Sequence, residues 1–195
     1  MFFQYETPRL LLKVLRADCA PQVLDFYNRD KELFEMYEID RVPDFYTVKH
    51  LQKVLRYEYN MAVKSQLFRF YVFQKENPCR IIGTVCIHNI APAFYGSCEI
   101  GYKFSSEFHH MGYATEAVGF CTKLAFNELR MHKVTAVVHP GNVPSMKLLN
   151  RLGFVQEGVR RGFYENPRED ALILWKRQET HGTITGSNQG KNPLQ

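Results

Sequence analysis

The stretch Glu107-Phe108-His109-His110-Met111-Gly112-Tyr113-Ala114-Thr115-Glu116-Ala117 carries the first sign of chemistry. It lies between an alternating strand pattern and a helical one, and Gly112 has no side chain to obstruct an anion approaching the free amides of a helix start. Small residues at Gly112 and Ala114 let the backbone come close, and the helix dipole adds about 0.3 to 1 kcal/mol per charge near its end. Such a turn binds phosphate; taken alone, the same pattern also describes an ordinary connection with a glycine in it. Further along, His139 ends an apolar strand just before Pro140-Gly141-Asn142, a place that points into the ligand crevice of open α/β sheets. Cys19, Cys79, Cys86, Cys98 and Cys121 contain no C-x-x-C pair, and no His, Asp or Glu cluster has ligand spacing, so reduced thiols and no metal are expected.

The elements that must position these residues follow from hydrophobic period. Thr7 to Leu15 reads as a first strand, and Asp18 as a cap for a helix from Ala20 to about Tyr27. A second short helix takes in Leu33, Phe34 and Tyr37, and Thr47 caps a third that runs from Val48 to about Ser65. Beyond Gln66 the period becomes that of strands. Phe68 to Gln74 and Ile81 to His88 form an antiparallel hairpin, joined by Ser97 to Phe104, in which Gly101 can mark a bulge. Gly112 to about Arg130 is a helix and Lys133 to Val138 a strand, which with the strand before them imply a right-handed parallel crossover. A helix from about Pro144 to Leu152 and strands from Phe154 to Gly158 and Asp170 to Trp175 complete one mixed α/β domain over residues 1–178. Residues 179–195 lose all apolar period and read as a flexible tail.

With 45% hydrophobic residues and a formal net charge of +5, the chain is too apolar and too evenly charged for wholesale disorder. No apolar run is long enough for a membrane span, and Met1 to Glu6 lacks the basic-then-apolar order of a signal peptide. A cytoplasmic location without membrane contact is expected. The 25 Lys and Arg are interspersed with 20 Asp and Glu rather than massed together, so nucleic acid is not an expected partner.

Three blocks occur in order: Glu99-Ile100-Gly101-Tyr102, then His109-x-x-Gly112-x-Ala114-Thr115-Glu116-Ala117, then Asn142-x-x-Ser145-x-x-Leu148-x-x-x-Leu152-Gly153-Phe154. Together they resemble the signature series of the GNAT superfamily of N-acetyltransferases, in its branch of RimJ/RimL-type ribosomal-protein N-terminal acetyltransferases. The resemblance runs from Thr7 to about Lys176. It implies the GNAT fold: a twisted, mostly antiparallel central sheet flanked by helices, with one parallel strand pair splayed around acetyl-CoA, the acetyl donor. The pantetheine arm would lie along Ile100 and Tyr102 and be held by Asn142 and Ser145; the pyrophosphate would sit on the turn from His109 through Met111, Gly112, Tyr113 and Ala114 to Thr115. The chain departs from the family at two points of this loop, His109 replacing Gln or Arg and Met111 replacing a basic residue.

Acetyl transfer to an amine needs a route for the amine's proton, stabilisation of an oxyanion, and a proton for the leaving thiolate. By resemblance Glu99 is the base, directly or through a water, and His139 is a second candidate. Many relatives protonate the thiolate with a tyrosine at the position held here by Leu149, so Ser145 is the implied replacement. His88, near the end of the second hairpin strand, is a candidate lining residue of the acceptor pocket; Tyr27, Tyr37, Tyr46 and the Thr47 helix fall where relatives build that pocket, and Arg160, Arg161, Phe163, Tyr164 and Glu165 where a hairpin lines it. Cys86, Cys98 and Cys121 sit on core-facing patterns as small hydrophobes. The acceptor is a primary amine, either a small molecule such as a polyamine or a protein N-terminus. The alternative is a non-catalytic acyl-CoA-binding or regulatory protein. The resemblance also allows a homodimer.

Overall fold

The computed structural model describes residues 1–37, 41–165 and 168–178; the tail expected over 179–195 lies outside them. The strands are β1 (Gln4–Glu6), β2 (Leu10–Lys13), β3 (Phe68–Gln74), β4 (Ile81–Ala91), β5 (Ser97–Phe104), β6 (Lys133–Val138), β7 (Val155–Glu165) and β8 (Arg168–Arg177). The helices are α1 (Ala20–Arg29), α2 (Lys31–Glu35), α3 (Val48–Val63), α4 (Tyr113–Asn127) and α5 (Val143–Arg151). All eight strands join one sheet in the order β1-β2-β3-β4-β5-β6-β8-β7. Neighbours are antiparallel except β5 and β6, which run parallel. This is the mixed architecture with one parallel pair that the sequence suggested.

Strand alternation divides the core in two. On one face Leu10, Leu12, Phe70, Val72, Val85, Ile87, Cys98 and Ile100 pack against Ala117, Val118, Cys121 and Ala125 of α4 and Leu149 of α5. On the other, Tyr71, Phe73 and Ile81 meet Val23, Phe26 and Tyr27 of α1, Phe34 of α2 and Leu51 and Leu55 of α3. Each such apolar side chain contributes about 1.5–3 kcal/mol by leaving water. Thr47 caps α3 as expected, its Oγ1 accepting the His50 N–H at 3.2 Å.

Four local expectations change. The first strand is two, β1 and β2, joined by a turn in which Thr7 N–H donates to the Leu10 carbonyl at 3.0 Å. Asp18 caps nothing; it lies in a 3-10 turn, and α1 starts with proline in its first turn, which removes one N–H that would need a cap. Gly101 carries no bulge. It pairs with Cys86 in unbroken register, the break falls between His88 and Ala91, and a Cβ at Gly101 would stand 3.7 Å from His88 Nε2, an ordinary contact. The strand at Phe154 to Gly158 runs on to Glu165, because register breaks at Gln156/Gly158 and Arg160/Tyr164 interrupt its alternation.

Candidate active site

β5 and β6 pair only at Ser97 with Lys133, Cys98 with Val134 and Glu99 with Thr135. Beyond Glu99 the strands part, β5 continuing to Phe104 and β6 to Val138, so a gap opens whose β5 edge is the backbone of residues 100–104. Backbone groups along such an edge need a hydrogen-bonding occupant. An amide-rich arm fits that requirement, and the parting of the strands agrees with the splay that the family resemblance implies.

The gap ends at the glycine turn. Gly112 has φ +80° and precedes α4 without any side chain accepting from the first-turn amides, whereas α3 and α5 are capped by Thr47 and Asn142. A left-handed residue with no Cβ therefore presents an uncapped helix start, as the anion reading requires. The His109 ring turns back to β5, Nε2 lying 3.0 Å from the Phe104 carbonyl, and the Met111 side chain is exposed.

On the α4 face of the gap, the Tyr102 phenol oxygen lies 2.8 Å from Ser145 Oγ and donates to the Ser145 carbonyl at 3.2 Å. Asn142 Oδ1 accepts the Ser145 N–H at 3.1 Å, which fixes the start of α5 and leaves the Asn142 amide NH2 as its donor. Burial pushes the Tyr102 phenol up to about 12, against the lowering effect of its Ser145 hydrogen bond.

Glu99 points to the opposite face, with Gly101 and Lys103. Its Oε1 accepts from Arg160 Nη2 at 3.1 Å, and His88 is its cross-strand neighbour. Burial pulls the His88 imidazole below its usual value, and the Glu99 charge opposes this. Beneath them Glu58 accepts from Arg69 Nε at 2.5 Å and from the Tyr71 hydroxyl at 3.1 Å. Burial brings the Lys103 amine down to about 7 beside the rings of Tyr27 and Phe34. A cleft of about 610 Å³ opens along His88, lined also by Arg69, Tyr57, Met61 and Asn89.

His139 stands at the rim with both ring nitrogens engaged. Nδ1 accepts from the Gly141 N–H at 3.1 Å, so Nε2 carries the proton that meets the Glu169 carboxylate. Its ring packs 5.5 Å from Tyr37 and 5.3 Å from Tyr164, which brings the C-terminal hairpin and the α2 end together. Tyr27 is core, and the Tyr46 hydroxyl donates to Glu35 at 2.6 Å. Arg161 pairs with Asp170 at 3.1 Å, and the Glu165 side chain lies outside the described residues. Cys86, Cys98 and Cys121 are buried. Among the described residues no three His, Cys, Asp or Glu side chains gather to hold a metal ion, and no helix is long and apolar enough to cross a membrane.

Residues 9–155 match the model of the Acetyltransferase (GNAT) domain family. The chain belongs to the GNAT acetyltransferase family. It is 30% identical to the Probable N-acetyltransferase YjcK of Bacillus subtilis over 152 residues, 78% of this chain and 83% of that protein. The ribosomal-protein-S5-alanine acetyltransferase of Vibrio fischeri superposes with a TM-score of 0.83 at 24% identity, over 89% of this chain and 96% of that one. RimJ of Mycobacterium smegmatis, solved with CoA-disulfide, gives 0.80 at 21% identity over 86% and 81%. The protein is therefore an acetyl-CoA-dependent N-acetyltransferase with RimJ/RimL-type structural neighbours. This GNAT acetyltransferase also holds long-range contacts beside the candidate site that the sequence does not announce. Thr7, Arg9 and Glu116 meet at the Gly112 turn from positions more than 100 residues apart, a distance at which no spacing rule operates.

Proposed function

We propose that this GNAT acetyltransferase moves the acetyl group of acetyl-CoA directly to the α-amine of a protein N-terminus. The observation that carries the acceptor class is the Glu99–Arg160 ion pair, at the last paired position of β5 and beside the His88 cleft. An α-amine bears a carbonyl within one residue, so Glu99 can take the ammonium while Arg160 turns to the carbonyl oxygen. A polyamine offers Arg160 only repulsion. Relatives whose names specify ribosomal-protein acetylation support the same reading.

Proton handling divides across the sheet. Glu99, on the helix α1–α3 side, accepts the amine's proton, directly or through one water, as the C–N bond forms. Ser145, on the α4 side, presents its hydroxyl to the sulfur as the C–S bond breaks. Tyr102 holds that hydroxyl by donating to Ser145 Oγ or its carbonyl, so the serine proton is free to face the gap. The gap between β5 and β6 lets the thioester lie between the two groups. His139, with both nitrogens engaged, serves as a wall that carries the C-terminal hairpin.

The test is thiol release from acetyl-CoA with peptides bearing free α-amines, amino acids, polyamines and aminoglycosides. Turnover with the peptides, lost in Glu99→Gln, is the expected result; turnover with polyamines alone would overturn the acceptor class.

A further inference from the structure

Arg9 stands in the turn between β1 and β2, and its side chain reaches the phosphate turn 102 positions away. Nη1 donates to the Met111 carbonyl at 3.0 Å, Nε and the backbone N–H donate to Glu116 at 2.7 and 2.9 Å, and the guanidinium lies 4.5 Å from the Tyr113 ring centroid. Thr7 Oγ1 donates to the same Glu116 carboxylate at 2.6 Å. Nη2 stands 3.4 Å from where a Gly112 Cβ would be.

We propose that Arg9 is a positioning residue for the donor's diphosphate, fixing the Met111 carbonyl and cancelling the charge of Glu116. It rests on the reading of the Met111–Thr115 turn as the diphosphate site. Glu116 is the acid in the first turn of α4. A carboxylate there steadies an empty helix but repels an incoming anion, because both compete for the positive end of the same dipole. Arg9 and Thr7 occupy both oxygens of Glu116 and leave the helix start electropositive. The turn also needs an outside restraint, since His110, unlike Gly112, pays a steric cost for its left-handed backbone at φ 62°. Neither Met111 nor the His109 ring, which is turned to the Phe104 carbonyl, offers the turn a guanidinium, so that group comes from the other end of the chain.

The experiment measures affinities of the full chain for CoA, phosphopantetheine and pantetheine by titration calorimetry, with thermal melts on each variant. Wild type should favour phosphopantetheine over pantetheine. Arg9→Gln should weaken CoA by about tenfold, the loss of one charge-assisted contact, and shrink the preference for the phosphate. Arg9→Gln/Glu116→Gln should recover much of the CoA affinity, because the repelling charge is gone as well. A clamp of purely structural value would be weaker still in the double variant, and that result overturns the proposal. If wild type discriminates and Arg9→Gln discriminates equally, the role of Arg9 falls while the diphosphate site stands. Wild type indifferent to the phosphate would remove the site itself. Arg9→Lys keeps charge without the fork and serves if Arg9→Gln does not fold.

Discussion

The Tyr102 hydroxyl and the Ser145 hydroxyl lie 2.8 Å apart, joining strand β5 to the start of α5 across the gap between the parallel strands. The phenol is held in its protonated form well above neutral pH, so it serves Ser145 as a donor rather than as a charge. Leu149 stands where many relatives carry a tyrosine, and the tyrosine that meets Ser145 here comes from a different element.

From this pair we expect Tyr102→Phe and Ser145→Ala each to lower kcat by about a hundredfold, in the usual range for a positioned proton donor. The double variant should be little worse than either single one, because the two groups act as a unit. Steady-state thiol release measures all three. Multiplying losses in the double variant would mean that the residues act separately.

Glu99→Gln keeps the shape of the site and removes the proposed proton acceptor, so kcat should fall by about 10²–10⁴. Arg160→Ala frees the carboxylate but takes away the proposed partner for the acceptor carbonyl. Its KM for a peptide should rise while kcat changes less, and saturation curves with one peptide series separate the two effects.

Acid stability should report on the Glu116 clamp. Burial alone would raise the Glu116 carboxyl, but hydrogen bonds from Thr7 and Arg9, with the Arg9 charge, hold it below its usual value. A carboxyl depressed in the folded state gives stability that is complete above the ordinary carboxylate range and lost as pH falls through the folded value. Glu116→Gln should therefore melt lower than wild type near neutral pH, and the difference should close as both are acidified. Melting temperatures from about pH 7 to about pH 2 check this; a constant difference would show that the charge of Glu116 is not what stabilises.

Gly83 of β4 and Phe104 of β5 are register partners, and a Cβ at Gly83 would come within 2.4 Å of the Phe104 ring. Overpacking of this kind costs about 1–3 kcal/mol. Gly83→Ala should lower the melting temperature, and Phe104→Leu in the same chain should restore part of the loss.

The readable parts of the sequence were those where one local period runs uninterrupted. The meander β3–β5, the helix α4 and strand β6 all have such runs, and their bounds agree with the structure within a few residues. β1 is three residues of exposed, half-buried, exposed pattern and left no period to detect. β7 was cut short because its charged stretch Arg160-Arg161 and its register breaks hide the alternation. At the candidate site, the Gly112 turn is legible because the backbone chemistry it offers is local, whereas Asn142 and Ser145 stand out only through the resemblance to the family. Glu99 with Arg160, Tyr102 with Ser145 and Arg9 with Glu116 are pairings between distant segments, and only the assembled sheet brings them together.

Because β5 and β6 share just three residue pairs, the sheet is two leaves on a narrow hinge: β1 to β5 on one side and β6, β8 and β7 on the other. A pantetheine arm bridging the gap would act as a missing strand and weld the leaves into one cooperative unit. Amide hydrogen exchange along β6 should then slow when the donor binds, by more than direct contact with the arm explains, since opening one leaf would require releasing the ligand first.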